Sequence, residues 1–246
     1  MKMMRIQSLS RLLAAAALCA AGSAGASTWT FSGNQATIGA VTATATAWAN
    51  TTNGPSGSNT VLASAYLSSY SGGLGVTHAD NESTGSPQHA MDNNGRKESI
   101  LFSFSGDKVN LTSSYFGWIS GDSDFSVYAY TGAGAGSVAG LTYGNLTSNG
   151  WTLISHSNET SNNNDKDFAN SIYSSYWLIG AYNGAGADST YDYFKLKTVS
   201  GLTCTDNPGG NGCGGRNNPV PEPGTMLLLG AGLLGLTRMT SRRPAV

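Results

Sequence analysis

Carboxylate and amide side chains recur in short polar segments of this chain, and they are the residue types best suited to binding a ligand. One segment is Asp92-Asn93-Asn94-Gly95, and a second is Asp122-Ser123-Asp124. Loop carboxylates and amides are oxygen ligands that Ca²⁺ accepts. The alternative is an ordinary solvated turn, since Asn, Asp and Gly tolerate left-handed backbone conformations. The candidate contacts for calcium or for glycan hydroxyls are therefore Asp92, Asn93, Asp122 and Asp124.

No pattern of catalytic residues accompanies these carboxylates. The three histidines are scattered, and the chain has neither a His-Glu-x-x-His zinc motif nor a Gly-x-Ser-x-Gly nucleophile elbow. Asp122 and Asp124 would serve as a glycosidase pair only across a cleft about 5–10 Å wide, which neighbouring positions on one strand end do not favour. We therefore expect no enzymatic activity and no cofactor beyond the calcium candidate. The polar run Asn162 to Asp167 is interpreted as a solvated loop.

Aromatic residues suggest a second kind of site, because the faces of Trp and Tyr rings stack on sugars while polar neighbours orient the hydroxyls. Tyr128 and Tyr130 alternate with Phe125 and Val127, so we predict that one strand face displays the two tyrosines. Trp118 and Trp177 are further candidates. They lie in apolar strands, where a core position is the alternative.

Charge excludes one class of partner. The whole chain has 13 basic and 14 acidic residues, and residues 27–219 hold seven of the bases and 13 of the acids. This part therefore has a net charge of −6, which argues against nucleic acid because phosphate binding requires a basic patch. Such a charge is compatible with divalent cations, neutral glycans or simple solubility.

The elements that would position these residues are strands. Ile100, Phe102 and Phe104 alternate with Leu101, Ser103 and Ser105. In the same way Phe125, Val127 and Ala129 alternate with Ser126, Tyr128 and Tyr130, and Gly, Asn and Ser clusters separate the segments. We predict an all-β fold over residues 27–200, a single antiparallel β-sandwich of jelly-roll-like type. The other predicted strand segments are Thr37 to Trp48, Val61 to Leu67, Tyr115 to Ile119, Trp151 to Ile154, Tyr176 to Tyr182 and Tyr193 to Val199, and Leu141 to Leu146 is predicted as one helical turn.

Cys204 and Cys213 follow the predicted domain. Eight residues separate them, and no His or Cys pair lies near enough in sequence to complete a metal site. In an oxidising compartment we favour a disulfide closing a small loop over a metal pair. Residues 201–219 are rich in Gly and Asn, and we interpret them as a flexible linker that contains this loop.

The N-terminus has the pattern of a secretory signal peptide, which we assign to residues 1–26. Lys2, Arg5 and Arg11 precede the apolar run Leu12 to Ala21, and Ala24-Gly25-Ala26 has the form of a signal-peptidase site. The apolar run is shorter than the roughly 20 residues that a spanning helix needs.

The C-terminal residues 220–246 combine a short polar motif, an apolar run and a basic end. The 13 residues from Thr225 to Thr237 would form a helix only about 20 Å long, whereas the bilayer core is about 30 Å thick. We therefore predict a transient membrane helix that is processed, with a permanent tail anchor as the alternative. The motif is Val220, Pro221, Glu222 and Pro223; the membrane segment is Met226, Leu227, Leu228, Leu229, Gly230, Ala231, Gly232, Leu233, Leu234, Gly235 and Leu236; the stop-transfer residues are Arg238, Arg242 and Arg243.

This order of features resembles the PEP-CTERM signal of Gram-negative bacteria, which enzymes of the exosortase family process. The resemblance implies signal peptidase and exosortase as partners during maturation, export through the inner membrane as a tethered precursor, and delivery to the cell surface or extracellular matrix. The signal also occurs on some ice-binding proteins, where it is called an ice-binding protein C-terminal domain. We do not favour ice binding, because the threonines of Thr37 to Trp48 would form a single row.

Seven segments in the middle of the chain form a pattern: Gly75 to His78, Ser86 to Arg96, Ile100 to Phe104, Gly117 to Asp124, Tyr128 to Gly132, Ser175 to Asn183 and Asp192 to Leu196. Together they resemble a group of exosortase-dependent surface proteins. The resemblance implies a surface protein of polysaccharide-producing bacteria with no assigned activity. We therefore expect a non-catalytic surface or matrix protein associated with exopolysaccharide or biofilm, and alternatively a carbohydrate-binding module.

Overall fold

The structure is a computed structural model, and it describes residues 25–51, 60–78, 87, 89–157, 164–181 and 190–214. Among these residues the regular elements are strands and two single 3-10 turns. The strands are β1 (Ser27–Thr30), β2 (Gln35–Ile38), β3 (Val41–Asn50), β4 (Leu62–Ser64), β5 (Tyr66–Tyr70), β6 (Gly73–Thr77), β7 (Met91–Asp92), β8 (Glu98–Ser105), β9 (Val109–Ile119), β10 (Phe125–Tyr130), β11 (Trp151–Ser157), β12 (Asp165–Asp167), β13 (Tyr176–Ala181) and β14 (Tyr193–Thr203).

The strands form two antiparallel sheets that pack as a sandwich, which confirms the predicted fold class. Sheet A has the order β12-β9-β14-β6-β5, and β1 and β7 also pair with β14. Sheet B has the order β11-β10-β13-β8-β3-β2, and β4 also pairs with β3. From β6 onward the longer strands divide between the sheets as β6-β14-β9-β12 and β8-β13-β10-β11. This is the strand order of a jelly roll, which consists of two interleaved Greek keys.

The core between the sheets follows from the period-two pattern of the strands. Phe102 and Phe104 of β8 are buried, and so are Val127 of β10 and Leu196 of β14. Each such side chain contributes about 1.5–3 kcal/mol when fully buried. In sheet A, Phe116 stacks on Phe194 with ring centroids 4.0 Å apart. The alternation predicted for β8 and β10 is therefore confirmed.

A second apolar cluster covers the outer face of sheet B. The segment between β10 and β11 contains the 3-10 turns Tyr143–Asn145 and Thr147–Asn149, and it packs Val138 and Leu146 over Tyr128. Tyr128 is consequently only 9% exposed. The prediction that one strand face displays this tyrosine is wrong, because the segment that follows β10 folds back over the outer face of sheet B and covers it.

Several strand boundaries differ from the prediction. The segment Val61 to Leu67 divides into β4 of sheet B and β5 of sheet A. Asp165–Asp167, predicted to lie in a solvated loop, forms β12 and pairs with β9. Its central residue, Lys166, is buried because its ammonium donates to Ser123 Oγ (3.0 Å) and lies over the ring of Phe116.

The predicted linker also begins later than the sequence indicated. β14 continues through Thr203, and Cys204 and Cys213 form a disulfide whose loop packs against the domain. Tyr173 N–H donates to Asn211 O (2.8 Å), and Asn207 Nδ2 donates to Tyr173 Oη (2.9 Å). These contacts join residues 201–213 to the compact unit that ends at Cys213.

The predictions for the two ends of the chain concern residues that lie mostly or wholly outside the described part. The signal peptide assigned to residues 1–26 lies almost wholly outside the described part, and the whole motif, membrane segment and basic cluster of residues 220–246 lies outside it. Within the described ranges, no helix is long and apolar enough to cross a bilayer. β1 begins at Ser27, the first residue that the predicted signal-peptidase cut would leave.

Candidate functional site

Three of the predicted polar residues, Asn93, Asp122 and Asp124, meet at one end of the sandwich. Asp122 and Asp124 lie in the turn between β9 and β10, and Asn93 follows β7. The structure adds Asp192, which directly precedes β14 and forms a parallel bridge with Asp122. Oxygen atoms of Asp122, Asp124 and Asp192 lie within 4.8 Å of one another. We call these three carboxylates the acid cluster.

Hydrogen bonds fix the geometry of the acid cluster. Asp192 Oδ1 accepts the backbone N–H of Asp124 (2.6 Å), and Asn93 Nδ2 donates to Asp192 Oδ2. Asp192 N–H in turn donates to Asn93 Oδ1 (3.0 Å). Asp122 Oδ1 accepts Ser123 N–H (2.8 Å). Because each of these oxygens has two lone pairs, a hydrogen bond leaves acceptor capacity on the same carboxylate.

Two lysines offset part of the charge at this end. Asp124 and Asp192 are each 1% exposed, so their negative charges lie in a medium of low polarity. Lys166 reaches Ser123 in the same turn. Burial lowers the pKa of Lys97, and the negative charge of Asp192 acts in the opposite direction. Three carboxylates in close proximity still favour a further cation between them.

Asp92 belongs to the adjacent turn and is not one of the three clustered carboxylates. Its Oδ1 accepts the backbone N–H of Asn94 (2.8 Å), which is the turn interaction that the sequence predicted as the alternative. Asn94 Nδ2 donates to Tyr193 Oη (2.8 Å), and Asp92 N–H donates to Glu98 Oε2 (3.1 Å). Asp92 therefore holds the loop that carries Asn93.

The two tryptophans proposed for sugar stacking have other partners. Trp177 is fully buried, and its indole N–H donates to Val109 O (3.0 Å), so its core position is established. Trp118 lies on the outer face of sheet A, where the ammonium of Lys195 is 4.5 Å from its ring centroid. Lys195 is also 4.5 Å from the ring of Tyr70 and 2.7 Å from His89 Nε2. Burial lowers the pKa of Lys195. The ring face of Trp118 is thus occupied within the chain.

Tyr130 lines a groove at the end of the sandwich opposite the acid cluster. The groove has a volume of about 370 Å³ and is also lined by Tyr173, Tyr176, Lys108 and Asn211. We call it the tyrosine groove. The rings of Tyr130 and Tyr176 meet edge to face, with centroids 6.2 Å apart. A volume above about 300 Å³, aromatic walls and a few polar groups are typical of small-molecule sites.

The disulfide loop builds one wall of the tyrosine groove. Gly210 packs against the ring of Tyr173, where a Cβ would approach ring carbon Cε2 to 2.1 Å. Gly212 adopts a φ of 98°, and its carbonyl oxygen accepts a hydrogen bond from Lys108 Nζ (2.7 Å). Glycine is required at both positions, by space at Gly210 and by backbone conformation at Gly212.

Sequence reasoning identified Tyr130 but missed the rest of the tyrosine groove. Lys108, Tyr173, Tyr176 and Asn211 lie at strand ends and in the disulfide loop, and no shared spacing connects them. The one available signal was the pair of cysteines, since a disulfide loop that directly follows a strand must lie against the end of that strand.

The strand order defines an all-β sandwich protein. It carries the acid cluster at one end of the sandwich and the tyrosine groove at the other. Residues 219–243 match the family model of the PEP-CTERM protein-sorting motif. This match confirms the predicted signal: the chain carries a PEP-CTERM protein-sorting motif, which supports sorting by an exosortase. The motif implies processing by exosortase and delivery to the cell surface or extracellular space. No curated protein shows significant similarity to this chain.

Proposed function

We propose that the exported domain is a non-catalytic surface or matrix protein that associates with exopolysaccharide. The observation that carries the proposal is the sorting motif at residues 219–243, which follows a single β-sandwich. The likeness of the middle of the chain to exosortase-dependent surface proteins of polysaccharide-producing bacteria supports it. The burial of Asp124 supports the proposed absence of glycosidase chemistry, since a catalytic carboxylate must reach its substrate.

Fractionation of the native host tests this function. We expect the protein expressed with its sorting motif to be recovered with the polysaccharide matrix, and a variant expressed without residues 220–246 to be absent from that fraction. Enzymatic removal of the polysaccharide should release the wild-type protein into the medium. A protein that stays on the cells after the polysaccharide has been removed would contradict the association.

The alternative function is a carbohydrate-binding module that retains exopolysaccharide, and the tyrosine groove is the feature that favours it. Retention of the purified mature protein on purified exopolysaccharide distinguishes the two. A matrix protein without a glycan site would pass through such a column, with or without calcium.

We also propose that the acid cluster holds a structural calcium ion. Ca²⁺ binds oxygen ligands at about 2.3–2.6 Å, so two oxygens on one ion lie at most about 5 Å apart. The 4.8 Å limit on the separations within the cluster fits this requirement. The ion would tie the β9–β10 turn to the start of β14, and Asp122, Asp124 and Asp192 would be its carboxylate ligands.

A further inference from the structure

We propose that the tyrosine groove binds an acidic sugar, a uronic acid unit of a polysaccharide, and that Lys108 receives its carboxylate. The inference rests on the proposed association with polysaccharide. It adds the location of the site and the charge of the sugar that the site selects.

Lys108 is the most exposed cation among the residues that the structure describes. Among the six Lys and Arg residues that the structure describes, it alone is exposed. Lys166 and Lys195 are buried, and Arg96, Lys97 and Lys197 are partly buried. An anionic ligand that approaches the described surface therefore meets its most accessible positive charge at this groove.

The ammonium of Lys108 is held in place and keeps donors available. Its Nζ donates to Gly212 O (2.7 Å), and both residues line the groove. An ammonium group has three N–H donors, so two remain for a ligand. Hydrogen bonds between charged groups are about twice as strong as neutral ones. A carboxylate on the ligand would therefore be recognised by charge and by geometry together.

The protein provides no carboxylate that competes for Lys108 within the described residues that line the groove. Its neighbour Asp107 lines an adjoining cavity, and each of its carboxylate oxygens accepts a hydrogen bond from a backbone N–H. Oδ1 accepts Lys108 N–H (2.8 Å), and Oδ2 accepts Thr205 N–H (2.7 Å). The negative charge nearest in sequence is thus directed at the backbone.

The remainder of the groove suits a sugar ring. Ser175 contributes polar atoms beside Tyr176, and Asn211 contributes an amide. A Cβ added at Gly134, which also lines the groove, would meet nothing within 4 Å, so this part of the lining is open. Tyrosine rings with a few amide and hydroxyl groups bind the mixed polar and apolar surface of a pyranose.

The acid cluster does not repel an anionic ligand at this distance. β9 has 11 residues and separates Lys108 from the β9–β10 turn, a length of roughly 35 Å at about 3.3 Å per residue. Salt screens exposed charges over about 8 Å at physiological ionic strength. The two ends of the sandwich therefore act as electrostatically separate sites.

Titration of the mature protein with a galacturonic acid trisaccharide tests the inference. Maltotriose is the neutral comparison. The measurement is made in EDTA, so that calcium cannot bridge the sugar to carboxylates. We expect binding of the acidic trisaccharide to weaken about tenfold in Lys108→Gln and to persist in Lys108→Arg. Lys197→Gln is the matched control, because Lys197 also donates from Nζ to a backbone carbonyl, Ser71 O, at 2.7 Å.

The outcomes separate this inference from the proposed function. Equal losses in Lys108→Gln and Lys197→Gln, or equal affinity for maltotriose, would overturn the assignment of an acidic sugar to this groove. A protein that binds neither trisaccharide but still fractionates with the matrix would overturn the assignment of a sugar site to the groove. The proposed function would remain. A protein that binds the acidic trisaccharide but never reaches the matrix would contradict the proposed function alone.

Discussion

Asp122 is the residue at which calcium binding can be tested with least disturbance to the fold. It is partly buried, and its Oδ1 accepts Ser123 N–H, an interaction that an asparagine side chain can keep. Asp122→Asn therefore removes one negative charge from the acid cluster without removing the turn hydrogen bond. Asp192 is less suitable, because an amide in its place would direct a donor at the Nδ2 donor of Asn93.

We expect calcium to raise the unfolding temperature of the wild-type domain and to have much less effect on Asp122→Asn. A ligand at 100 times its Kd stabilises a protein by about 2.7 kcal/mol, and each kcal/mol corresponds to roughly 2–4 °C in a domain of this size. In EDTA the variant should be as stable as the wild type or slightly more stable, because repulsion among the carboxylates falls. Thermal unfolding followed by circular dichroism measures both effects.

The control for this experiment is Asp167→Asn, an exposed carboxylate on β12 outside the acid cluster. It should respond to calcium as the wild type does. Equal responses of the wild type and Asp122→Asn would argue that the carboxylates are structural hydrogen-bond acceptors and hold no ion.

At the residue scale, turn chemistry was enough to select Asp92, Asn93, Asp122 and Asp124, because short polar runs with Gly are visible in any single sequence. Asp192 could not be selected in this way. It lies 68 residues from Asp124, and the two meet only because β9 and β14 pair along their whole length. Tyr128 shows the opposite error, since its strand position was predicted and the segment that covers it was not.

Among the elements, the disulfide loop is the one whose removal should affect both stability and binding. Closing a loop of about ten residues stabilises a domain by roughly 2–3 kcal/mol in the chain-entropy model. The double variant Cys204→Ser with Cys213→Ser should lose about this amount, measured as a lower urea midpoint. Its affinity for the acidic trisaccharide should also fall, because Asn207 and Asn211 position Tyr173 from within the loop.

Reduction of the Cys204–Cys213 disulfide in the wild-type protein is the second arm of this test. It should reproduce both the lower urea midpoint and the lower trisaccharide affinity. An unchanged urea midpoint in the double variant would mean that the hydrogen bonds of the loop are sufficient to hold it. A lower midpoint with unchanged trisaccharide affinity would show that the loop stabilises the domain but does not contribute to binding in the groove.

Strands with a strong period-two pattern were predictable, and strands whose pairing depends on a buried charge were not. β8 and β10 carry large apolar residues at alternate positions, and their inward faces followed directly. β12 reads Asp-Lys-Asp, which indicates a loop by composition. It forms a strand because the ammonium of Lys166 is accommodated inside the sandwich, where it donates to Ser123 Oγ and lies over the rings of Phe116 and Phe125. Such a compensated cation leaves no signature in a local pattern.

At the scale of the whole molecule, the jelly-roll strand order determines which features can share an end. Antiparallel β9 and β14 place Lys108 and Cys204 at one end, and the β9–β14 register places Asp122 and Asp192 at the other. The proposed calcium site and the proposed sugar site are therefore separated by the length of the strands. The described chain leaves the domain at the end that carries the tyrosine groove, directly after Cys213.

The processing of the C-terminus is the prediction that concerns the whole molecule. The apolar run from Thr225 to Thr237 would span only about 20 Å as a helix, against a bilayer core of about 30 Å. A helix this short is a poor permanent anchor, so we expect the mature protein to lack Met226 to Val246. Intact mass of the protein recovered from the matrix of its native host measures this directly.

Replacing Pro221, Glu222 and Pro223 with alanine should leave the tail attached, because the sorting motif would be lost. A wild-type mass that still includes the tail would instead identify a tail anchor, and the association with polysaccharide would then have to act on a protein fixed to the membrane.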